Sequence, residues 1–359
     1  FVHPTDSLRD PLTREASHQI ARITALGDDF RPIGEIVDER AMVNAIVALL
    51  ATGGSTNHTI HLIAIARAAG LIVNWDDFSE LSQIVPLVSR VYPSGEADIN
   101  HFHAAGGTGY LFRTLLEGGY LQGEARTVWG DSLSGYTREP CLDDSGLQWR
   151  ESPHQSLDSS VLTDVASPFS KEGGLRLLTG NLGRSIIKTS AVPESNYLIE
   201  APAVVIEHQD DLEALFSAGN LNQDCVVVVR GQGPKANGMP ELHKLTPFLG
   251  SLQDQGYRVA LVTDGRMSGA SGKVPAAIHL TPEATDGGLI GRVESGDLVR
   301  LDAVAGVLEL LVPEEALANR RSWIADQAQS PSCGRGLFQL NRSQLSQAEQ
   351  GASFLFGEA

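Results

Sequence analysis

Apolar residues recur at helical spacing through the first third of the chain. Asp10 and Pro11 supply a capping carboxylate and a first-turn proline, and apolar positions then follow every three or four residues as far as Gly27. Similar signals, each ended by glycine or proline, predict further helices over residues 38–51, 55–69, 77–91, 98–105 and 110–117. The first third is therefore predicted to be chiefly helical.

A polar, irregular stretch over residues 139–170 follows, and we interpret it as a surface crossover between two domains. Beyond it, β-branched runs predict strands at residues 175–179, 185–189, 203–207, 225–230, 258–263, 298–302 and 307–312. Helical patterns interrupt them at residues 211–218, 241–255 and 314–327. The fold class is therefore α/β: a partial α/β domain, chiefly helical here, over residues 1–165, and a mixed β-barrel-like domain with flanking helices over residues 166–359.

Composition narrows the class of protein. The 359 residues exceed one average domain, and 42% of them are apolar, which excludes a disordered or fibrous chain. A net charge of −17 repels nucleic acid and anionic membrane surfaces. We therefore expect an enzyme that acts on a small molecule, with neither nucleic acid nor membrane as a partner.

The cysteines and the lengths of the apolar runs indicate in which cellular compartment the protein is expected. Cys141, Cys225 and Cys333 are too few and too scattered for a disulfide scaffold and indicate a reducing compartment, so we expect the cytoplasm. The most apolar stretch, residues 45–51, is far shorter than the roughly 20 residues that span a bilayer. The opening residues 1–4 are typical of neither a natural start nor a signal peptide, so we expect the chain to be a fragment.

The segment 231–241, Gly-Gln-Gly-Pro-Lys-Ala-Asn-Gly-Met-Pro-Glu, is the most unusual part of the sequence. It follows an apolar strand and precedes a helix, which is where α/β sheets and many barrels place ligand-binding groups. Glu241 is a candidate ligand for a hard metal ion. The alternative is that it only complements the dipole of the following helix.

A second glycine- and serine-rich segment, 263–275, follows the next predicted strand. Gly272 and Lys273 resemble a phosphate loop superficially, but Met267 and Val274 exclude a Walker A motif. Backbone N–H groups of such a turn bind anions, with Lys273 or Arg266 adding charge. The alternative is a turn with no ligand.

A third candidate is the junction between two helices at residues 53–58. Free N–H groups at a helix start bind anions, and Ser55, Thr56 and Asn57 offer further hydrogen bonds. His58 and His61 lie three residues apart, but we favour a structural or polar-pocket role for them over a metal site, as for His101 and His103. The residues by themselves therefore predict an anion-binding, metal-assisted enzyme.

Four motifs together resemble the family of dihydroxy-acid and sugar-acid dehydratases, and the resemblance extends over essentially the whole chain. These motifs are residues 53–57, 180–182, 238–241 and 264–269. Longer matches at residues 97–102, 233–245 and 268–275 point to the branch that acts on a phosphorylated sugar acid. The resemblance implies loss of water from 6-phospho-D-gluconate to give 2-dehydro-3-deoxy-6-phosphogluconate.

The same resemblance implies an iron–sulfur cluster as Lewis acid, a 4Fe-4S cluster by expectation, together with Mg²⁺. Glu241 would bind Mg²⁺, and Ser268 would be the base at C2, a role that requires activation because a free serine is a weak base. We hypothesise that Lys273 contacts the substrate phosphate, and Arg266 or Lys235 is the alternative phosphate contact. The other predicted substrate-binding residues are Ser55, Thr56, Asn57 and Ser271.

The family's cluster cysteines and its other Mg²⁺ ligands lie upstream of the stretch that matches this chain. We therefore expect no cluster ligands among these 359 residues and no activity of the chain alone. The resemblance implies a homodimer for the complete enzyme. Two alternatives stay open: a dehydratase of an unphosphorylated sugar acid or dihydroxy acid, and a non-catalytic module that binds an anion.

Overall fold

The structure is a computed structural model that describes residues 2–269, 271–324 and 339–355. It contains two compact units. The first comprises Phe1–Gly53, Ala69–Leu71 and Leu81–Gly173, and the second comprises Gly54–Ala68, Ile72–Glu80 and Gly174–Ala359. The domain boundary near residue 165 stays a prediction, because a unit that is compact by its contacts need not be a segment that folds independently.

Helices occupy most of the first 117 residues, at α1 (Arg9–Ile23), α2 (Ile33–Ile36), α3 (Glu39–Thr52), α4 (His58–Ala68), α5 (Trp75–Ile84), α6 (Ile99–Ala104) and α7 (Gly107–Glu117). Helix α3 shows how the sequence sets its ends. The Asp38 side chain accepts a hydrogen bond from the Ala41 N–H, and Gly53 ends the helix with a φ of 58°. Between these caps α3 buries one apolar face in the core of the first unit.

Helix α2 was not predicted, α1 ends at Ile23 rather than near Gly27, and two further helices have other ends than predicted. Helix α4 begins at His58 rather than at Ser55, because residues 55–58 first form a turn in which Ser55 O accepts the His58 N–H. Helix α5 ends at Ile84, well before residue 91, because Pro86 cannot continue a helix. The chain that follows makes isolated β-bridges instead, at Leu87 and Ser89 among others.

The first unit also contains a hairpin where we predicted irregular structure. Strands β1 (Arg138–Asp143) and β2 (Gly146–Glu151) pair antiparallel around a turn in which Asp143 accepts a hydrogen bond from the Ser145 N–H. The prediction of an irregular stretch is therefore wrong for residues 139–151. Both strands are half-exposed or exposed along their length, so they lack the alternation that marks a strand with one buried face.

The second unit is built around a closed, mixed, eight-stranded barrel in the order β10-β3-β4-β8-β7-β6-β5-β9. Its strands are β3 (Leu175–Gly180), β4 (Gly183–Lys188), β5 (Leu198–Ile206), β6 (Cys225–Val229), β7 (Val259–Thr263), β8 (Ala276–Thr281), β9 (Leu298–Asp302) and β10 (Val307–Leu310). The predicted barrel-like architecture is confirmed. Strand β8 was not predicted, because it follows Pro275 directly at the end of a loop rich in glycine and serine.

The run from β5 through β6 and β7 to β8 is parallel, whereas β3–β4, β4–β8, β5–β9 and β9–β10 pair antiparallel. Every residue of β6 and β7 is buried, as expected for parallel strands that are covered on both faces. One apolar cluster fills the barrel, and a second lies between β6, β7 and the helices that cover them.

Helices of the second unit after β5 are α8 (Gln209–Ser217), α9 (Pro234–Asn237), α10 (Leu245–Asp254), α11 (Glu314–Ala318) and α12 (Gln339–Ser343). Helix α11 is shorter than predicted, since it ends at Ala318; residues 325–327 of the predicted helix lie outside the described residues. Across the described ranges, the helices are all too short or too polar to cross a membrane.

Candidate active site

The carboxyl ends of β6 and β7 bring the two glycine-rich segments together. The strands pair in parallel from Cys225 opposite Val259 to Val229 opposite Thr263, so the segments that follow them leave from the same rim of the barrel. We call residues 231–241 the glutamate loop and residues 264–275, of which position 270 is not described, the serine loop. The structure thus juxtaposes two segments that lie more than twenty residues apart in sequence.

The two loops are joined through Glu241 and Arg266. Their backbones form an isolated parallel bridge, and the Leu242 N–H donates to Arg266 O at 3.2 Å. Their side chains form an ion pair, with Arg266 Nη1 3.0 Å from Glu241 Oε1. Glu241 precedes α10, which begins at Leu245, by four residues, so it is not a first-turn carboxylate of that helix.

Arg266 also holds the turn that precedes Glu241. Its Nε donates to Met239 O at 2.6 Å, and Met239 has a φ of 52°, in the left-handed region that a residue with a side chain adopts only at a cost of about 1 kcal/mol or more. Arg266 therefore supports the backbone and carboxylate of the glutamate loop. Its role as a phosphate contact stays a prediction.

Lys235, the other alternative contact for the phosphate, also forms an ion pair, with Asp286. Its Nζ lies 2.9 Å from Oδ1 and 2.7 Å from Oδ2 of Asp286, and both side chains are about one-quarter exposed. A substrate phosphate would have to compete with this carboxylate for the ammonium group. The predicted contact is untested, but the ion pair makes Lys235 a weaker candidate than its position in the loop suggests.

Two buried carboxylates hold the glutamate loop by its backbone. Asp264 accepts the N–H groups of Gly231 and Gln232 at 3.1 and 2.8 Å. Glu283 accepts those of Lys235 and Ala236 at 2.8 and 3.0 Å. Burial raises the pKa of both acids, and for Glu283, which also faces the carboxylates of Asp264 and Asp286, it reaches about 7.

The serine loop is held by short-range backbone and hydroxyl contacts. Ser268 O accepts the Ser271 N–H at 2.9 Å, and the Ser271 hydroxyl lies 3.0 Å from that of Thr246 in α10. Ser268 is half-buried and Lys273 is exposed. The loop passes very close to Ser55, because a Cβ added to Gly269 would lie 2.9 Å from the Ser55 Cβ.

A cavity of about 360 Å³ in the second unit gathers residues of all three candidate segments. Its walls include Asn57 and His61 from the start of α4, Gly238 and Met239 from the glutamate loop, and Arg266. The Asn57 Oδ1 is buried and has no hydrogen-bond partner in the described part of the chain, which leaves an acceptor for a ligand. Ser55, Ser268 and Lys273 are not among the lining residues, so the cavity brings together only part of the predicted set.

His279 in β8 is a buried histidine near this cavity that sequence reasoning missed. It has a φ of 60°, its N–H donates to Gly265 O at 2.9 Å, and its ring Nδ1 lies 3.4 Å from the Thr59 hydroxyl. Burial and the charges of Arg266 and His61 lower its pKa to about 3, so the ring is neutral. Its Nε2 is buried without a partner among the described residues.

The residues present fit Mg²⁺ better than an iron–sulfur cluster. Mg²⁺ usually takes one or two carboxylates and completes its shell with water and substrate oxygens, and the half-exposed Glu241 suits that role. Over the described ranges, no three histidine, cysteine or acidic residues are grouped to hold a metal ion, so the pair His58 and His61 has no such support. Burial and the nearby Asp224 raise the pKa of Cys225 to about 11, which disfavours a thiolate ligand.

Cys141 lies in β1 of the first unit, and Cys333 lies outside the described residues. The expectation that any cluster ligands come from sequence beyond this chain therefore stays a prediction. Of the residues that sequence reasoning missed, Asp264 had a signal, since it follows a buried strand directly. Glu283 and His279 had none, because their partners are distant in sequence.

Two family models match this chain, one in its N-terminal part and one in its C-terminal part. The family "Dihydroxy-acid/6-phosphogluconate dehydratase N-terminal" matches residues 1–136, and "Dihydroxy-acid/6-phosphogluconate dehydratase C-terminal" matches residues 160–352. The phosphogluconate dehydratase of Escherichia coli (strain K12) is 58% identical over 354 residues, and that of Zymomonas mobilis subsp. mobilis is 52% identical over 360. The dihydroxy-acid dehydratase of Thermus thermophilus is 34% identical over 354 residues.

These alignments cover 98%, 100% and 98% of this chain, respectively. They cover 59%, 59% and 60% of the three relatives, so the chain spans about three-fifths of the length of the proteins it matches. The chain belongs to the dihydroxy-acid/6-phosphogluconate dehydratase family. Identity is higher to the phosphogluconate dehydratases than to the dihydroxy-acid dehydratase.

Proposed function

We propose that this chain is the serine- and glutamate-bearing part of a hydro-lyase that converts 6-phospho-D-gluconate to 2-dehydro-3-deoxy-6-phosphogluconate and water. The observation that carries the proposal is the joining of the glutamate and serine loops through Glu241 and Arg266 on one rim of the barrel. The choice of substrate is supported by 52–58% identity to phosphogluconate dehydratases over nearly the whole chain.

The reaction needs a base and a way to stabilise negative charge. Ser268, activated as its alkoxide, takes the proton from C2, the C2–H electrons form the C2=C3 double bond, and the C3–O bond breaks so that hydroxide leaves and becomes water with that proton. The resulting enol gains a proton at C3, loses the proton of its C2 hydroxyl, and becomes the 2-keto acid. Because the C2 proton lies beside a carboxylate, it is weakly acidic, and positive charge near that carboxylate lowers the barrier.

Glu241 is the residue of this chain that we assign to Mg²⁺. When bound, the ion supplies positive charge for the substrate carboxylate and the developing enolate, and a cluster held by residues outside this chain supplies a Lewis acid for the leaving hydroxide. Arg266 occupies one carboxylate oxygen of Glu241 and orients the other. The second carboxylate oxygen of Glu241 would then be the one to hold the ion.

The substrate is placed by polar groups around the loops. Asn57 offers at the cavity an acceptor that has no hydrogen-bond partner among the described residues, and Ser55, Thr56 and Ser271 contribute further hydrogen-bonding groups. Lys273 is our assignment for the phosphate, because it is an exposed cation of the serine loop. The complete enzyme is proposed to be a homodimer, as the family resemblance implies.

Turnover of 6-phosphogluconate tests the proposal. The chain and the protein as its gene encodes it are each assayed anaerobically with iron, sulfide and Mg²⁺, and the 2-keto product is measured. We expect activity in the protein as encoded and its loss in Ser268→Ala, whereas Ser251→Ala, which removes an exposed hydroxyl from α10, stays active. Equal activity of Ser268→Ala and the parent contradicts the assignment of the base.

An unphosphorylated sugar acid or dihydroxy acid is the second candidate substrate. It is favoured by one observation: Arg266 and Lys235, which were considered for the phosphate, form ion pairs with carboxylates. D-Gluconate and a branched dihydroxy acid in the same assay separate the alternatives. A higher kcat/KM with either compound than with 6-phosphogluconate overturns the phosphorylated substrate. Absence of turnover with all of them supports the non-catalytic, anion-binding alternative.

A further inference from the structure

The glutamate loop is fixed to the barrel by carboxylates that belong to other elements. Asp264 stands at the end of β7 and Glu283 follows β8, and both side chains are fully buried. Each of the two carboxylates accepts a pair of consecutive N–H groups of the loop. Asp264 also accepts the Ala284 N–H at 3.0 Å. The loop is therefore held by its backbone, independently of its side chains.

The backbone of the loop packs closely against the Glu283 side chain at Gly233. A Cβ added at Gly233 would lie 2.3 Å from Glu283 Oε2 and 2.7 Å from its Cβ, well inside contact distance. A residue with a side chain at position 233 would therefore displace either the loop or the Glu283 carboxylate. The same carboxylate oxygen accepts the Ala236 N–H.

The anchored backbone leads directly to the proposed metal ligand. After Ala236 the chain passes through Gly238, with a φ of 68°, and Met239, with a φ of 52°, before it reaches Glu241. Arg266 secures this last part through Met239 O and Glu241 Oε1. If the anchor at positions 235 and 236 is lost, these turns have no fixed origin and the Glu241 carboxylate is no longer held in place.

Resting on the proposed function, we propose that Glu283 is a positioning residue that fixes the glutamate loop so that Glu241 can bind the divalent cation. Burying a carboxylate beside Asp264 and Asp286 is electrostatically unfavourable, and the positive charge on Lys235 is directed at Asp286. Hydrophobic residues would stabilise a fold at lower cost, so an acid pair retained at a candidate site favours a functional role. Outer residues that orient metal ligands typically change metal affinity by about 10- to 100-fold when mutated.

Metal binding tests this role directly. Glu283→Gln replaces one acceptor oxygen by an NH₂ group, which cannot accept the N–H that it faces. In the protein as its gene encodes it, we expect the dissociation constant for Mn²⁺, measured by electron paramagnetic resonance of the free ion, to rise about 10- to 100-fold. The Mg²⁺ concentration for half-maximal turnover rises by the same factor, while kcat at saturating Mg²⁺ stays within about threefold.

Gly233→Ala is the second variant, because it displaces Glu283 without removing it, and we expect the same shift in metal affinity. Asp297→Asn is the matched control: Asp297 is a mostly buried carboxylate of the same unit that accepts the Glu294 N–H and pairs with Arg320 outside the loops. We expect its Mn²⁺ affinity to equal that of the parent. Circular dichroism establishes which variants are folded, and a folded Gly233→Ala suffices for the test if Glu283→Gln unfolds.

An active parent whose folded variants bind Mn²⁺ like the parent overturns this inference and leaves the proposed function intact. A fall in kcat with unchanged metal affinity overturns it as well, since that result places Glu283 in another step. A parent that turns over none of the substrates overturns the proposed function itself, and this inference with it.

Discussion

The glutamate loop and the serine loop leave adjacent parallel strands, yet they are held in different ways. Charged groups hold the glutamate loop: Asp264 and Glu283 accept its N–H groups, and Arg266 pairs with Glu241. Asp264 and Arg266 belong to the start of the serine loop, and the contacts of the loop beyond them include Ser268 O with the Ser271 N–H and the Ser271 hydroxyl with that of Thr246. The glutamate loop is therefore held by charged side chains along its length, whereas the later part of the serine loop is rich in small residues and is held by backbone and hydroxyl contacts.

This difference separates two tasks of the proposed site. A residue that binds a divalent cation must be held in place while it carries charge, and here Arg266 pairs with Glu241 while Asp264 and Glu283 hold the loop backbone. A residue that takes a proton must approach the substrate closely, and glycines and serines allow this, as the 2.9 Å clearance between a Cβ at Gly269 and Ser55 illustrates. Mutations in the two loops should therefore fail by different routes.

The largest expected effect is on the chemical step, at Ser268. Ser268→Ala is expected to lower kcat for 6-phosphogluconate by about 10²- to 10⁴-fold, the usual contribution of a proton-transfer group, with little change in stability. Steady-state kinetics and thermal unfolding measure the two quantities. If kcat falls and Mn²⁺ affinity falls with it, the division of tasks between the loops is wrong.

The second effect is on stability, at Glu283. Because its folded-state pKa of about 7 lies above the ordinary value near 4.3, the contribution of Glu283 to stability is fully present below about pH 4 and is lost as pH rises through 7. We expect the unfolding free energy of the parent, relative to Glu283→Gln, to fall by up to about 3 kcal/mol between pH 4 and pH 8. Denaturant titrations at several pH values measure this difference.

Asp264, Asp286 and Lys235 face the same group, and they are present in both proteins, so the comparison removes most of their own titration. A difference that does not change with pH would show that the pKa of Glu283 is the same in the folded and unfolded states. It would also show that the loop is held without any electrostatic cost.

The smallest effect is expected on substrate affinity, at the two lysines. Lys273→Met in the serine loop is expected to raise KM for 6-phosphogluconate by about 10-fold, the value of one charge-assisted contact, whereas Lys235→Met changes KM less because its charge is directed at Asp286. Lys244→Met, which breaks an exposed pair with Asp210, serves as the control. A larger effect at Lys235 than at Lys273 would reverse the assignment.

Local patterns predicted much of this architecture. Caps such as Asp38 and Gly53, and apolar runs such as β6 and β7, are set by neighbours in sequence, so the helices and most barrel strands could be predicted. Strand β8 and the hairpin of β1 and β2 could not, since β8 directly follows Pro275 and a loop rich in glycine and serine, and the hairpin has no fully buried face.

The candidate site divides in the same way. The two loops are recognisable in the sequence by their glycine, proline and serine content, so Glu241 and Ser268 could be proposed from the sequence. That Arg266 and Lys235 are taken up by ion pairs, and that Glu283 supports a loop nearly fifty residues away, depends on the closing of the barrel. Such contacts between distant residues leave no periodic signal.

Closure of the barrel has a further consequence for assembly. Each strand from β3 to β10 has a partner on both sides, so this sheet offers no open edge to which another chain could add a strand. In the proposed homodimer, any contact made by the barrel would therefore use side-chain surfaces of its helices and loops rather than a continuation of its sheet. A barrel of this kind associates by recognition of shape and charge, and its protection against strand-to-strand aggregation is built into its topology.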